Sequence, residues 1–200
     1  PLSFLINDED NTTPYGNRSL DIIVAPWPWV KLGTGKFRDD YLCSMFNGGN
    51  PEIEVTIHEH KSKKGIYMIE EMYGWPFLTE FFGGSQEEIE SQVKLTYTPV
   101  NITIDCSDPT KVVMPRQFTG IIDGDPAYGN YEIAMFTGGE GTLVNGVITF
   151  PQEALAFVCG AGSLKANKSG LFRILLPGAE LTDYTLSAVY DGMKVSADGE

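Results

Sequence analysis

The alternation of apolar and polar residues along the chain predicts a mostly β protein. The segment EIEVTIHEH at 52–60 is the clearest example, because Ile53, Val55 and Ile57 alternate with polar residues. This pattern is typical of a half-buried antiparallel strand. A lysine-rich turn follows, and 66–71 is predicted to return as the second strand of a hairpin.

Short predicted strands continue at close spacing toward the end of the chain. They cover 93–98, 101–106, 111–114, 118–122, 130–136, 142–144, 147–150, 154–159, 171–176 and 184–190. Asn145-Gly146 separates two of these strands, and Asp191-Gly192 repeats the signal, because such residues tolerate the positive φ of tight hairpin turns. We therefore predict an all-β fold, an antiparallel β-sandwich or β-barrel with one short helix.

The single predicted helix begins after Ser85. Ser85 and Glu88 have the spacing of a capping box, and Glu87 suits the first turn of a helix that ends before Val93. The preceding segment, 76–84, is apolar but irregular in pattern, and we predict a loop there.

One β domain is predicted behind an irregular start. Residues 1–19 are polar and rich in turn formers, so we interpret them as a lead or tether. No linker composition divides 20–200, which we interpret as a single β domain. Its first candidate strand is the apolar run at 20–25, which Pro26 ends because proline cannot donate to a central ladder.

Composition and charge exclude several classes of partner. The 200 residues are 42% hydrophobic, which is sufficient for a substantial core. Fourteen Lys and Arg residues stand against 27 Asp and Glu, so the formal net charge is -13, and the basic residues are scattered. A phosphate backbone would be repelled, so we expect no nucleic-acid partner. No apolar run has the length of a membrane span, so no transmembrane segment is predicted.

The cysteine count is odd. Cys106 and Cys159 fall on apolar faces of predicted strands, whereas Cys43 has no such pattern. Buried free thiols are the first interpretation, and one disulfide with a spare cysteine is the alternative.

An aromatic segment provides the candidate ligand-binding residues. They are Tyr73, Trp75, Phe77, Phe81 and Phe82, which lie between strand patterns. An exposed aromatic segment would suit sugar rings or a groove on a partner protein. The alternative is a plug that covers one end of the sandwich or barrel, which the rarity of large apolar patches on monomers favours.

A second tryptophan-containing motif, Trp27-Pro28-Trp29, allows the same two interpretations. We expect Trp29 to lie in the core, whereas Trp27 fits either a buried or an exposed position.

The only two histidines, His58 and His60, share one face of a predicted strand. With Glu54 on the same face, and Glu70 or Glu71 as a further ligand, they are weak candidates for a metal site. A polar stripe that faces solvent is the favoured alternative, so we predict neither a metal nor another cofactor.

Paired carboxylates could catalyse glycoside hydrolysis, one as the acid and the other as the base or nucleophile. The available pairs are Asp39-Asp40, Glu70-Glu71 and Asp123 with Asp125. Neighbouring residues of a regular strand point to opposite faces, so Glu70 and Glu71 should not converge. We therefore predict no catalytic residues.

Several segments along the chain share the order and spacing of one family pattern. The match begins with WVKLGTGKFRDD at 29–40, continues through EVTIHE and Gly65-Ile66-Tyr67, and includes GVITFP at 146–151. Ile104-Asp105, Asp108-Pro109-x-Lys111-Val112 and Phe172-Arg173-Ile174-x-Leu176-Pro177-Gly178 also fit. Together these segments resemble a family of secreted surface lipoproteins of Bacteroidetes, and the resemblance covers roughly 29–190.

This sequence departs from the family pattern in one hairpin. Lys64 replaces a proline, Met68 replaces an arginine, and 71–73 stands where Asn-Pro-Tyr is usual. The resemblance implies an exported β protein, anchored at the outer membrane or cell surface through a lipid on a cysteine outside this sequence. It implies no catalytic residues.

These observations together predict a non-catalytic cell-surface protein that binds a glycan or a surface protein. A secreted glycan-active hydrolase is one alternative, because carboxylate pairs are present. A structural or adhesion subunit of a surface assembly is the other.

Overall fold

The computed structural model describes residues 27–39, 48–165 and 172–181. Its strands are β1 Trp29–Asp39, β2 Glu52–His60, β3 Ile66–Glu70, β4 Leu95–Tyr97, β5 Asn101–Asp105, β6 Gln117–Asp123, β7 Asn130–Met135, β8 Thr142–Val144, β9 Val147–Thr149, β10 Leu155–Cys159, β11 Gly162–Lys165 and β12 Phe172–Leu175. The helices are α1 Trp75–Phe82 and α2 Gln86–Glu88, and a π-helical turn follows at Ile89–Val93.

Several sequence-based predictions fall outside the described residues. They are the lead at 1–19, the strands at 20–25 and 184–190, the turn at Asp191-Gly192, and the positions of Asp40 and Cys43.

Two antiparallel sheets form the architecture, which confirms the predicted all-β class. The larger sheet has seven strands in the order β5-β3-β2-β1-β12-β9-β8, and the smaller has five in the order β11-β10-β7-β6-β4. Their apolar faces contribute to one buried cluster. At its centre, the ring of Tyr73 lies 5.3 Å from that of Phe37 on β1 and 5.7 Å from that of Phe157 on β10. Tyr73 therefore joins the two sheets.

Strand β1 occupies the middle of the larger sheet. It pairs with β2 along nearly its whole length, but with β12 only over Lys36–Asp39. A register shift between Lys31 and Gly33 leaves Leu32 as a bulge. The first half of β1 therefore extends past β12, and Leu32 and Val30 are exposed there.

The hairpin predicted at Asn145-Gly146 is confirmed. Asn145 has φ 51° and Gly146 has φ 78°, and they connect β8 to β9 with Val144 opposite Val147. Both central residues have the positive φ that matches the twist of the flanking strands.

The capping box at Ser85 is also confirmed. The Ser85 hydroxyl accepts a hydrogen bond from the Glu88 amide at 3.3 Å, and the Glu88 carboxylate accepts one from the Ser85 amide at 2.7 Å. The hydrogen bond from the Ser85 amide is the main cause that lowers the pKa of Glu88, and the nearby Ser85 side chain adds to the effect. The chain leaves this helical segment at Lys94, which has φ 61°.

The prediction of a loop at 76–84 was wrong, because α1 occupies most of this segment. Pro76 stands in the first turn of α1, where its missing amide proton is not needed. Gly83 ends the helix in the left-handed conformation and donates its N–H to the Thr79 carbonyl at 2.9 Å. Leu78 and Phe81 turn into the core and hold α1 against the sheets.

Two other segments differ from the prediction. The strand expected at 111–114 consists of two isolated bridges, Val113 with Asp105 and Val112 with Gly141. The four-residue strand β11 was not predicted, and it pairs with β10 at an edge of the smaller sheet.

Cys106 is a buried free thiol, as the first interpretation of the cysteines predicted, whereas Cys159 is free but only half-buried. Burial raises the pKa of the Cys106 thiol to about 12, and the nearby charge of Asp105 adds to the rise. Since the thiolate is the reactive form, Cys106 is a packing residue at neutral pH. Within the described ranges, no helix combines the length and apolarity needed to cross a membrane.

Candidate functional site: an acidic groove beside α1

An open groove lies where β3 separates from β2. The pairing of the two strands ends at Ile57 opposite Ile69, so the edge of β2 over 53–56 faces the start of α1. Among the described residues, no strand pairs with that edge. The resulting groove has a volume of about 220 Å³, and its lining consists of Ile53, Glu54, Val55, Thr56, Glu70, Glu71 and Pro76. We call it the acidic groove because three of these side chains are glutamates.

The backbone at Glu71 brings two neighbouring carboxylates to the same groove. Strand β3 ends at Glu70, and Glu71 has φ 42°, a left-handed conformation that non-glycine residues seldom adopt. The prediction that Glu70 and Glu71 face apart applied to a regular strand, whereas Glu71 lies just past the end of β3, and both residues line the groove. Such strain persists only where the surrounding structure imposes it, and it is concentrated at functional sites.

His58 forms a hydrogen bond with Glu70 but is not itself part of the groove lining. Its Nε2 donates a hydrogen bond to Glu70 Oε1 at 2.6 Å, and His58 is only 7% exposed. His58 Nδ1 is buried, and none of the described residues forms a hydrogen bond with it. The Glu70 side chain is 45% exposed, so it remains accessible from the groove.

The weak candidates for metal ligands, His58, His60 and Glu54, do not assemble into a site with Glu70 or Glu71. His60 lies next to the Trp29 ring at 5.1 Å, and its Nδ1 accepts a hydrogen bond from the Ser62 amide at 3.2 Å. Of the suggested ligands, only His58 and Glu70 meet. In the part of the chain that the structure describes, no three His, Cys, Asp or Glu side chains have a geometry that could hold a metal ion.

An aromatic pair lies beside the acidic groove. The rings of Trp75 and Tyr97 are 6.3 Å apart in an edge-to-face arrangement, and Trp75 directly precedes Pro76 of the groove lining. Burial raises the pKa of Tyr97 to about 12, and the negative charge of Glu71 adds to the rise. The Tyr97 side chain therefore lies close enough to Glu71 for an electrostatic interaction.

The five predicted ligand-binding aromatics divide into two groups. Tyr73, Phe77 and Phe81 are buried in the core, so no ligand can reach them in this structure, and they correspond to the alternative of an aromatic plug. Trp75 and Phe82 are half-buried and pack against the core from its border. Ligand binding by these two residues stays a prediction.

Phe82 belongs to a second cleft, between the end of α1 and the π-helical turn. This cleft has a volume of about 190 Å³ and is lined by Phe82, Gly83, Gly84, Glu88, Ile89, Gln92 and Val93. It contains one carboxylate, and that of Glu88 is engaged in the helix cap. The acidic groove therefore offers more free polar groups for recognition.

The other candidate carboxylates have structural roles. Asp39 is fully buried and accepts a hydrogen bond from the Tyr73 hydroxyl at 2.8 Å. Asp123 accepts hydrogen bonds from the Tyr131 hydroxyl and from the Asp125 amide, both at 2.8 Å. Asp125 in turn accepts one from the Ala127 amide, so these two aspartates organise their own loop.

The two tryptophans at the start of β1 lie near the surface. Trp27 is 57% exposed, whereas Trp29 is half-buried against His60. The expected core position of Trp29 was wrong, because this end of β1 extends beyond the part of the sheet that the core covers.

Sequence reasoning did not identify the groove as a site. Tyr97 belongs to a short predicted strand with no distinguishing motif, and Thr56 is one polar residue in a regular alternation. The one available signal was Pro76 followed by Gly83, which is typical of a short helix and would have ended the preceding strand near Glu70.

Comparison with known proteins leaves the chain without an assigned relative: no protein-family model, curated protein or solved structure matches it. The resemblance to surface lipoproteins stays a prediction.

Proposed function

We propose that this protein is a non-catalytic glycan-binding protein and that the acidic groove with the Trp75–Tyr97 pair is its binding site. The observation that carries the proposal is the position of an aromatic pair beside a groove lined by three carboxylates. Binding sites for small ligands commonly combine apolar surface with a few polar groups that fix orientation.

The aromatic pair supplies the apolar part of the site. Sugar rings have C–H faces that pack on aromatic side chains, and tryptophan and tyrosine offer a large rigid surface with a polar edge. Trp75 and Tyr97 are half-buried, so each has a fixed side toward the core and a side toward solvent. This support limits the conformational entropy lost when a ligand is bound.

The polar part of the site suits hydroxyl groups. Glu54, Glu70 and Glu71 offer carboxylate oxygens, which form strong charge-assisted hydrogen bonds with O–H donors. Thr56 adds a hydroxyl that both donates and accepts. The edge of β2 over 53–56 contributes backbone N–H and C=O groups that no described strand pairs.

The cellular setting of the proposal rests on the sequence resemblance. It implies export, with a lipid anchor outside this sequence and a position at the outer membrane or cell surface. A surface glycan is a ligand that such a protein would meet, and a surface protein is the other partner consistent with the resemblance.

A glycan array on the purified protein tests the proposal, followed by calorimetry with any ligand that binds. Trp75→Ala and Glu71→Gln should each weaken binding, because one removes the stacking surface and the other a charged acceptor. Tyr128→Ala and Glu87→Gln are matched controls, since both residues are exposed away from the groove. Absence of binding by the parent protein, or equal loss in the controls, would contradict the proposal.

A glycan hydrolase is the second candidate, and the presence of both Glu70 and Glu71 in the lining of one groove favours it. Glycosidases use two carboxylates that flank the scissile bond. Release of reducing sugar by the parent protein, abolished in both Glu70→Gln and Glu71→Gln, would support hydrolysis over simple binding. Binding without product release would support the first proposal.

A further inference from the structure

We propose that His58 is a positioning residue, which holds the Glu70 carboxylate in the acidic groove by donating from Nε2 in one fixed tautomer. The consequence for ligand binding rests on the proposed function. The hydrogen-bond arrangement itself does not, and it can be tested in the absence of any ligand.

The geometry defines which ring nitrogen carries the proton. An ionised carboxylate only accepts hydrogen bonds, so the 2.6 Å contact between His58 Nε2 and Glu70 Oε1 requires a proton on Nε2. Within 27–39, 48–165 and 172–181, no group forms a hydrogen bond with Nδ1 that would compete for this proton. In the neutral form of the ring, a proton on Nε2 defines the Nε2–H tautomer, and Nδ1 then carries no proton.

The surroundings of His58 keep the ring in place. His58 lies on β2, in the interior of the seven-stranded sheet, with Lys31 of β1 on one side and Met68 of β3 on the other. Met68 is 3% exposed, so this part of the sheet face is covered. The donor at Nε2 is thus rigid, whereas the Glu70 side chain that it holds is nearly half exposed to the groove.

The Nδ1 atom of His58 is buried, and the described residues provide no hydrogen-bond partner for it. Buried polar atoms in folded proteins nearly always have a hydrogen-bond partner, and an exception calls for an explanation. An apolar side chain at this position would pack without leaving such an atom. The buried histidine is accounted for if its Nε2–H is needed to orient Glu70 for a ligand.

His60 provides the comparison within the same strand. It also lies on β2, but its Nδ1 accepts from the Ser62 amide at the far end of the strand, away from the groove lining. A change at His60 therefore alters a histidine on the same strand and leaves the carboxylates of the groove in place.

Calorimetry with a glycan identified on the array tests the binding consequence. His58→Ala should weaken binding about tenfold, because Glu70 loses a charge-assisted hydrogen bond that fixes its position. His58→Gln should retain most of the affinity, since its amide nitrogen can donate from a similar place. His60→Gln should bind like the parent. Parent-like binding by His58→Ala would overturn the positioning role and leave the proposed function intact.

Nitrogen-15 NMR of the histidine rings in the parent protein supplies the ligand-free test. The expected spectrum shows His58 as the Nε2–H tautomer at neutral pH, and Glu70→Gln should perturb its Nε2 resonance while leaving that of His60 unchanged. A Nδ1–H tautomer for His58 would overturn the inference. If the parent binds no glycan, the proposed function fails, and this spectrum still decides whether His58 holds Glu70.

Discussion

The phenol of Tyr73 donates a hydrogen bond to the carboxylate of Asp39 across 2.8 Å, and both side chains are fully buried. The sequence marked the first residue as a candidate ligand contact and the second as a member of a candidate catalytic pair. Their contact connects β1 to the segment before α1, so both residues support the fold beneath the acidic groove.

Tyr73→Phe should lower the free energy of unfolding by about 1.5–3 kcal/mol, because a buried hydrogen bond to a charged acceptor is lost. Urea denaturation followed by circular dichroism measures the change. Tyr97→Phe is the matched control, since its hydroxyl makes only long contacts of 3.4 and 3.5 Å with Val100. An equal loss in both variants would show that the Asp39 contact adds no stability.

Glu71→Gly should raise the free energy of unfolding by about 1 kcal/mol, because glycine relieves the strain of the left-handed backbone. It should also weaken ligand binding, because it removes a carboxylate of the groove. Lys94→Gly is the control, since Lys94 has φ 61° but lies outside the groove lining. We expect a similar gain in stability there with unchanged binding. Thermal denaturation and calorimetry together measure both effects, and a binding loss in Lys94→Gly would contradict a specific role for Glu71.

Because Glu52 interacts with Arg173, the free energy of unfolding should depend on pH in the acidic range. Arg173 Nη2 donates to Glu52 Oε2 at 2.7 Å, and this hydrogen bond is the main reason that the pKa of Glu52 lies below its ordinary value of 4.5. A carboxyl with a lowered pKa stabilises the folded state above its unfolded pKa, and the contribution is lost as pH falls through the folded pKa.

Arg173→Gln should therefore lower the free energy of unfolding by about 1 kcal/mol more at neutral pH than well below pH 4.5. The difference is modest because water screens the partly exposed pair. Urea denaturation over a pH series measures the difference. Lys36→Gln should show a smaller pH dependence, since Lys36 is 3.6 Å from Glu52 and half exposed. A pH-independent loss in Arg173→Gln would indicate that only its packing matters.

Most of the fold could be predicted from local sequence patterns. The alternation of Ile53, Val55 and Ile57 predicted β2 with its exact bounds, and Asn145-Gly146 predicted the β8–β9 hairpin, because both signals depend only on neighbouring residues. The acidic groove depends on the end of β3 and the conformation of Glu71. Neither follows from alternation, because tertiary packing around α1 imposes them.

The sequence could not decide between the two interpretations of the aromatic segment for the same reason. Three of its rings are buried because α1 turns them inward, and a helix of eight residues gives too few turns for its periodicity to be recognised. Which aromatics remain accessible could therefore be determined only once the helix and its orientation were known.

Gly120→Ala should destabilise the protein by about 3 kcal/mol and disturb the Trp75–Tyr97 pair. Gly120 has φ 90°, and an added Cβ would lie 2.3 Å from the Tyr97 ring and 2.5 Å from the Thr98 carbonyl oxygen. Thermal denaturation and near-ultraviolet circular dichroism measure the two effects.

Gly129→Ala is the matched control for this substitution. Gly129 also has a positive φ, 62°, but an added Cβ would meet nothing within 4 Å. It should cost only about 1 kcal/mol of backbone strain and leave the aromatic spectrum unchanged. Similar losses in both variants would mean that contact with Tyr97 contributes little.

The central position of β1 has a consequence for folding. Strand β12 follows β1 by more than 130 residues, yet it is the strand that joins β9 and β8 to the rest of the larger sheet. Contacts so distant in sequence slow folding, because a large loop must close before they form. During synthesis, β1 to β3 leave the ribosome early. One edge of β1 then stays unpaired until β12, near the end of the described chain, has also been synthesised.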